Sequence, residues 1–462
     1  MAMSASVPAT SAPAKPAYER PLIQRHQMGL MNKFGRSAAG IRAQTLIDGV
    51  PIAGLVEQFG SPLFVFSQKT LTQRFRELHD AFTRRFPQVR IAWSYKTNYL
   101  EAICRNFHHE GAWAEVVSPF EYDKALHAGV SSEKIHWNGP YKPEAALAKA
   151  IQGNSIIHID NFDELERIER VASRLGKRPR VAIRINMAID GITPWSRFGV
   201  NLESGQARDL CNRLLEGNMM DLVGLHTHLG TFILDPTAYT KAAANLATFA
   251  NELKSTHGHQ LQFIDMGGGF ASRNTLKGAY LTGEQAAPTF DRYAEAIAEG
   301  FSALDGPQRE WPTLVLETGR ALVDEAGFLI ASVEATKRLP DGRQSLVLDA
   351  GVNLLFTSFW YKHDVVPAQE TRATMEPTVM FGPLCMNIDE LRETHNFPGL
   401  TPGQRVVFRN VGAYNNTQWM QFITLRPAVV MIGANGSVST IRRAEALSDF
   451  TAVEMVPEWL RS

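Results

Sequence analysis

A (β/α)8 barrel joined to an antiparallel β-barrel or sandwich domain, an α/β architecture, is predicted from three features of the 462-residue sequence. Short β-rich runs alternate with helical stretches through its middle part, and this rhythm is repeated eight times. From about residue 321 onward, β-type runs follow one another without long helices between them. The chain is also longer than one hydrophobic core usually serves, so two domains are expected. Strand–helix repetition implies parallel strands in βαβ units. A closed ring of such units carries its chemistry at the C-terminal ends of the strands.

In chain order, residues 1–22 are rich in Ala, Ser and Pro and lack the apolar centre of a secretory signal, so they are expected to form a disordered tail. Residues 23–66 contain SPLFVFS (61–67), which reads as a strand of the β domain and makes that domain discontinuous in sequence. The barrel is assigned to residues 67–320. Its strands are RIAWSY (90–95), WAEVVS (113–118), KIHWNG (134–139), SIIHID (155–160), RVAIRIN (180–186), LVGLHTHLG (222–230), LQFIDMGGG (261–269) and TLVLET (313–318). Between them lie amphipathic stretches. After Asn161, apolar residues recur at Leu165, Ile168, Val171, Ala172 and Leu175, which is helical spacing. The β domain is assigned to residues 321–455, with further strands in 322–339, 345–351, 376–383, 405–414 and 428–442. No solenoid-type repeat is present.

Composition narrows the function classes. Lys+Arg and Asp+Glu are equal at 47 each, so the net charge gives no reason to expect a nucleic-acid partner. No run of about 18 apolar residues appears, so no membrane span is expected. The three cysteines, Cys104, Cys211 and Cys385, make neither a disulfide framework nor a metal motif. The expected location is cytoplasmic.

Several chemically capable residues fall at predicted strand ends. Lys96 follows the first strand in Ser-Tyr-Lys-Thr-Asn. His228 ends the sixth, Gly267, Gly268 and Gly269 end the seventh, and Glu317 and Arg320 end the eighth. Singly, each has an ordinary explanation: a solvated lysine, a tight turn, a surface ion pair. Jointly, they point to one chemistry. A lysine at a barrel mouth forms an imine with an aldehyde cofactor. A glycine-rich turn brings backbone N–H groups close to a phosphate, and Arg320 adds charge-assisted hydrogen bonds. A carboxylate such as Glu317 keeps a pyridine nitrogen protonated and the ring a strong electron sink. An imidazole such as His228 stacks on such a ring. Arg184, in Ala-Ile-Arg-Ile-Asn, is read either as a support for Glu317 or as a plain structural ion pair.

These motifs resemble, in order and spacing, the fold-type III pyridoxal 5'-phosphate (PLP) decarboxylases, which include diaminopimelate and eukaryotic-type ornithine decarboxylases. The resemblance runs from about residue 60 to 425. It implies that Lys96 is the Schiff-base lysine, that His228 stacks on the ring, and that Thr231 stands in for the family's phosphate-contacting serine. The Gly267–Gly269 turn, Arg320 and the Tyr414 of Gly412-Ala-Tyr414 would hold the phosphate, with Glu317 at the pyridine nitrogen. Gly382-Pro-Leu-Cys385 resembles a motif whose cysteine serves the partner subunit's site. The resemblance therefore implies a head-to-tail, two-fold homodimer with shared sites, and Cys385 as proton donor after loss of carbon dioxide.

Two departures bear on the substrate. Where the family carries an acidic residue for a distal amino group, this chain has Met386. Where diaminopimelate enzymes carry an arginine after Asp-Ala-Gly-x-Asn, this chain has Thr357 and Ser358. A methionine cannot pair with an ammonium, and a buried charge without a partner is costly. The substrate is therefore expected to be an amino acid or conjugate other than free diaminopimelate, in specialised (siderophore or natural-product) metabolism. Met386, Thr357 and Tyr361 are expected in its pocket. Trp195, Trp360 and Tyr361 are read first as packing residues, with an aromatic pocket wall as the alternative. Three rivals remain. A metal-dependent hydrolase could use His226 and His228, but no further His or Asp cluster is expected at the strand ends. A PLP racemase or epimerase usually has arginine where Glu317 stands. A non-catalytic PLP-binding regulator would not need Lys96 and Cys385.

Overall fold

The computed structural model describes residues 41–461. The expected tail, and residues 23–40 of the segment after it, lie outside the described residues. Eight parallel strands close a ring: β1 (Val89–Ser94), β2 (Trp113–Val116), β3 (Ile135–Trp137), β4 (Ile156–Ile159), β5 (Arg180–Asn186), β6 (Asp221–His226), β7 (Phe263–Asp265) and β8 (Thr313–Leu316). Each pairs with its neighbours in sequence order, β5 pairs β6, and β8 pairs back to β1. All eight predicted strands are present, several of them two or three residues shorter than predicted.

The helix Phe162–Leu175 shows how local sequence builds these units. The Asn161 side chain accepts from the Glu164 N–H at 2.9 Å and caps the helix start. Gly176 ends it in a left-handed turn at φ 59°. Its buried face carries Leu165, Ile168, Val171 and Ala172, as the spacing predicts.

The interior of the ring is layered. Ile156, Ala182, Val223, Phe263 and Val315, with Trp113, form an apolar cluster separate from the main core. Two positions beyond five of these lie Glu115, His158, Arg184, Asp265 and Glu317, all buried. Side chains two apart on a strand share a face, so an apolar layer is followed toward the strand ends by a layer of ionisable groups. Gly224 belongs to the tight part of this packing. A Cβ there would lie 2.3 Å from the Phe263 ring.

A second sheet contains the strand Leu63–Ser67 together with β9 (Gly327–Arg338), β10 (Gln344–Leu348), β11 (Val365–Pro367), β12 (Met375–Phe381), β13 (Glu390–Pro398), β14 (Arg405–Arg409), β15 (Val429–Ile432) and β16 (Val438–Arg442). Leu63–Ser67 pairs antiparallel to the start of β9 and parallel to β15. β10 and β12 are also parallel, so the sheet is mixed rather than wholly antiparallel. β13, with the sequence ELRETHNFP, was not expected, because its residues are mostly polar and half-exposed. Residues 320–326, adjoining the expected domain boundary, form short helical turns instead of strand.

Candidate active site

At the C-terminal ends of the barrel strands lies a cavity of about 660 Å³, within the roughly 300–1,000 Å³ usual for small-molecule sites. It is lined by Lys96, Arg184, His228, Thr231, Gly269, Glu317, Arg320, Thr357, Tyr361 and Tyr414, among others. The barrel loops and the segments connecting strands of the second sheet both contribute, so residues far apart in sequence converge here.

Lys96 sits in the turn Tyr95–Thr97 directly after β1. Its Nζ lies 2.6 Å from Glu115 Oε2, and the same oxygen accepts the Ser94 hydroxyl at 2.6 Å. Burial opposes the charge on Lys96, but Glu115 and Glu317 outweigh it and raise its proton affinity. Asn138 links the two acids, donating to Glu115 Oε1 and to Glu317 Oε1.

Glu317 is held by more than one neighbour. His226 Nε2 lies 3.3 Å from Glu317 Oε2. The ligand-capable atoms of His158, His226, Asp265 and Glu317 all lie within 4.8 Å of one another, fully buried. The expectation that no His or Asp cluster gathers at the strand ends is therefore overturned. These residues are distant in sequence, and β4, β6, β7 and β8 bring them together. Burial disfavours charge on both carboxyls. Beside His226, His158 and Lys96, however, Glu317 is held well below the usual carboxylate range. Asp265, buried next to Glu317, is pushed well above it. In this pair Asp265 keeps the proton and Glu317 is the anion. Arg184 makes no ion pair with Glu317 among the described residues. Its guanidinium lies 4.6 Å from the Phe198 ring instead.

His228 accepts the Gly268 N–H on Nδ1 at 3.0 Å. Its proton therefore sits on Nε2, and burial keeps the ring neutral by pulling its pKa well down. Of the three predicted glycines, only Gly269 lines the cavity. The Gly267 N–H is committed to Asp265 Oδ1 at 2.8 Å. Gly268 permits close approach between β7 and β8, since a Cβ there would lie 2.3 Å from the Glu317 carbonyl. Arg320 is held from behind by Asp324 at 3.4 Å, while its buried Nε has no protein partner. Its guanidinium carbon lies 4.8 Å from the rings of both Tyr361 and Tyr414. Tyr414 (φ 66°) and Phe232 (φ 58°), both at the cavity, adopt left-handed backbone that a non-glycine residue holds at a cost.

Met386, expected in the pocket, packs against the apolar core and does not line the cavity of its own chain, and Cys385, expected at the partner's site, is exposed and does not line it either. Thr357 does line it, but its hydroxyl is engaged by His363 and Asn415. Trp195, Trp360 and Tyr361 all line it too, so the aromatic-wall reading matches the geometry better than the packing one. Glu115, Asn138 and His226 carry much of the geometry, yet the sequence reading names neither Glu115 nor Asn138 as a site residue and gives His226 only a metal-ligand role. Their signal was present: each is a polar residue near the C-terminal end of an otherwise apolar barrel run.

The family model described as "Pyridoxal-dependent decarboxylase, pyridoxal binding domain" matches residues 72–324. The chain belongs to the pyridoxal-dependent decarboxylases. Among its relatives, the diaminopimelate decarboxylase of Aquifex aeolicus is 27% identical over 414 residues, covering 87% of this chain and 93% of the relative. That of Methanocaldococcus jannaschii is 28% identical over 430 residues, covering 90% and 95%. Among solved structures, the Methanocaldococcus jannaschii enzyme in complex with L-lysine superposes with a TM-score of 0.83 at 27% identity, covering 91% of this chain and 99% of that one. The enzyme is thus a PLP-dependent amino-acid decarboxylase. Its cavity fits that cofactor on structural grounds: the Lys96 amine and the buried Glu317 anion both line it, and so does Arg320, whose buried Nε has no protein partner.

Proposed function

We propose that this decarboxylase acts on an amino acid or amino-acid conjugate other than free diaminopimelate, in specialised metabolism such as siderophore or natural-product assembly. One observation carries the reading. The carboxylates lining this chain's part of the cavity are Glu115 and Glu317, and both are already engaged, by Lys96, Asn138 and His226. Among the described residues of this chain, no further acid lines the cavity to receive a distal ammonium.

The geometry supports a role for each residue. Lys96 is the amine that holds the cofactor aldehyde, and Glu115 beside it takes up and returns the proton at Nζ. Glu317 would sit at the pyridine nitrogen of the bound cofactor. Its low proton affinity would leave the shared proton on the ring. Bound PLP supplies an electron sink for the carbanion left by carbon dioxide. His228, held in tilt by the Gly268 N–H, would lie against one face of the ring. Arg320, Thr231, Gly269 and Tyr414 would hold the phosphate. We assign Cys385, exposed in its own chain, to the site of a two-fold partner, where it returns a proton to the substrate carbon. The three free cysteines fit a reducing, cytoplasmic setting.

The name of the relatives makes meso-diaminopimelate the competitor to test. Carbon dioxide release by the PLP-loaded protein is measured over a panel of free and conjugated amino acids. The expected result is faster release from a substrate without a distal ammonium. Preferred turnover of meso-diaminopimelate overturns the assignment.

A further inference from the structure

We propose that the substrate ends in a carboxylate, bound by Arg197 with Arg184 beneath it; this rests on the decarboxylase reading above and names the substrate class. Four cationic side chains line the cavity: Lys96, Arg184, Arg197 and Arg320. Lys96 is matched by Glu115, and Arg320 is paired with Asp324 and assigned above to the cofactor phosphate. Arg184 and Arg197 have neither an ion pair nor a hydrogen bond among the described residues. Both instead lie against one ring, Phe198, at 4.6 Å and 5.1 Å from its centre. Arg184 is only 8% exposed.

Two cations gathered on one ring repel each other, and burial of Arg184 outweighs the attraction of Asp160 and Glu317, neither of which is in ion-pair contact with it. Cation–π contact offsets part of this cost. An anion entering the cavity removes the rest, and a guanidinium's planar fork matches a carboxylate in particular. The arrangement is fixed by hydrogen bonds. Asn186 Nδ2 donates to the carbonyls of Phe198 and Gly199 at 2.8 and 2.9 Å, and the Gly199 N–H donates to Asp160 at 3.0 Å. Trp195, in the same loop, packs edge-on to His228 with centroids 5.5 Å apart. That contact places the loop beside the imidazole assigned to the cofactor face, within reach of a substrate side chain.

The test uses the PLP-loaded full-length protein and matched primary amines ending in carboxylate, methyl or ammonium. The five-carbon set is 5-aminopentanoate, pentylamine and 1,5-diaminopentane, with an eight-carbon set beside it. Binding is read from the absorbance of the lysine-bound cofactor. At one or both lengths, the carboxylate-ended amine is expected to bind about tenfold more tightly than the ammonium-ended one. Added salt narrows the gap. Arg197→Glu, on an exposed loop position, inverts the order, and Arg197→Lys keeps it. Equal or tighter binding of the ammonium-ended amines to the unaltered protein overturns the proposal alone, as does an order that Arg197→Glu leaves unchanged. Absence of any spectral response to any amine overturns the decarboxylase site itself, and this inference with it.

Discussion

At the residue scale, the chemistry depends on keeping one carboxylate charged and one lysine placed. Replacing Lys96 with Ala removes the only lysine lining the cavity among the described residues. Borohydride reduction of the loaded protein followed by peptide mapping is expected to label residue 96 in the parent protein and nowhere in the variant. Carbon dioxide release by the variant falls by on the order of 10³-fold or more. His226 acts through Glu317 and is a positioning residue. In His226→Gln, kcat is expected to fall on the order of 10²-fold, because Glu317 is less well aimed. The acid limb of kcat against pH should also move to higher pH, since a carboxylate with fewer supporting partners protonates more readily. A fall in kcat with an unmoved acid limb would assign His226 to packing alone.

At the scale of elements, the strand ends decide what the chain can do, and their spacing is tight. Gly268→Ala sets a methyl against the Glu317 carbonyl. It is expected to destabilise the protein by about 1–3 kcal/mol and to weaken PLP binding, measured by urea unfolding and cofactor titration. These elements also show what could be read in advance. The eight barrel strands announced themselves through apolar runs separated by amphipathic helices. Lys96, His228, Glu317 and Arg320 are visible because each falls at or just past the end of such a run. His136 and His158 were not, because a histidine inside a β-rich run reads as one more strand residue until the ring closes around it. β13 was missed for the opposite reason: with one edge and much of its surface exposed, its sequence carries charge where a buried strand would carry Val or Ile. Met386 was assigned to the pocket from motif position, which carries no information about whose pocket a side chain enters.

At the scale of the whole molecule, buried imidazoles set the acid limit of stability. Burial lowers His136 to about 3, and it pulls His158 well below its usual value. Both take up a proton only on unfolding, so their stabilising effect is complete above the unfolded value of 6.5 and is lost as pH falls toward the folded one. In that window each imidazole gives stability a slope of about 1.4 kcal/mol per pH unit. Urea unfolding of His136→Phe between pH 7 and pH 4 should show a slope smaller by one proton; an unchanged slope would mean that His136 is not the group titrating. The proposed two-fold assembly makes its own prediction. Inactive Lys96→Ala and Cys385→Ala proteins, dissociated and reassociated together, should recover about a quarter of parental activity, because each mixed dimer holds one site free of both changes. No recovery places Cys385 outside its partner's site. The strand Leu63–Ser67 has a further consequence. It leaves the ribosome before any of the ring, yet its two neighbours in the mixed sheet are β9 and β15. During synthesis this apolar segment must wait, one edge unclaimed, until Ile432 has been added. The interval is one in which a chaperone, or another nascent copy, competes for the vacant edge.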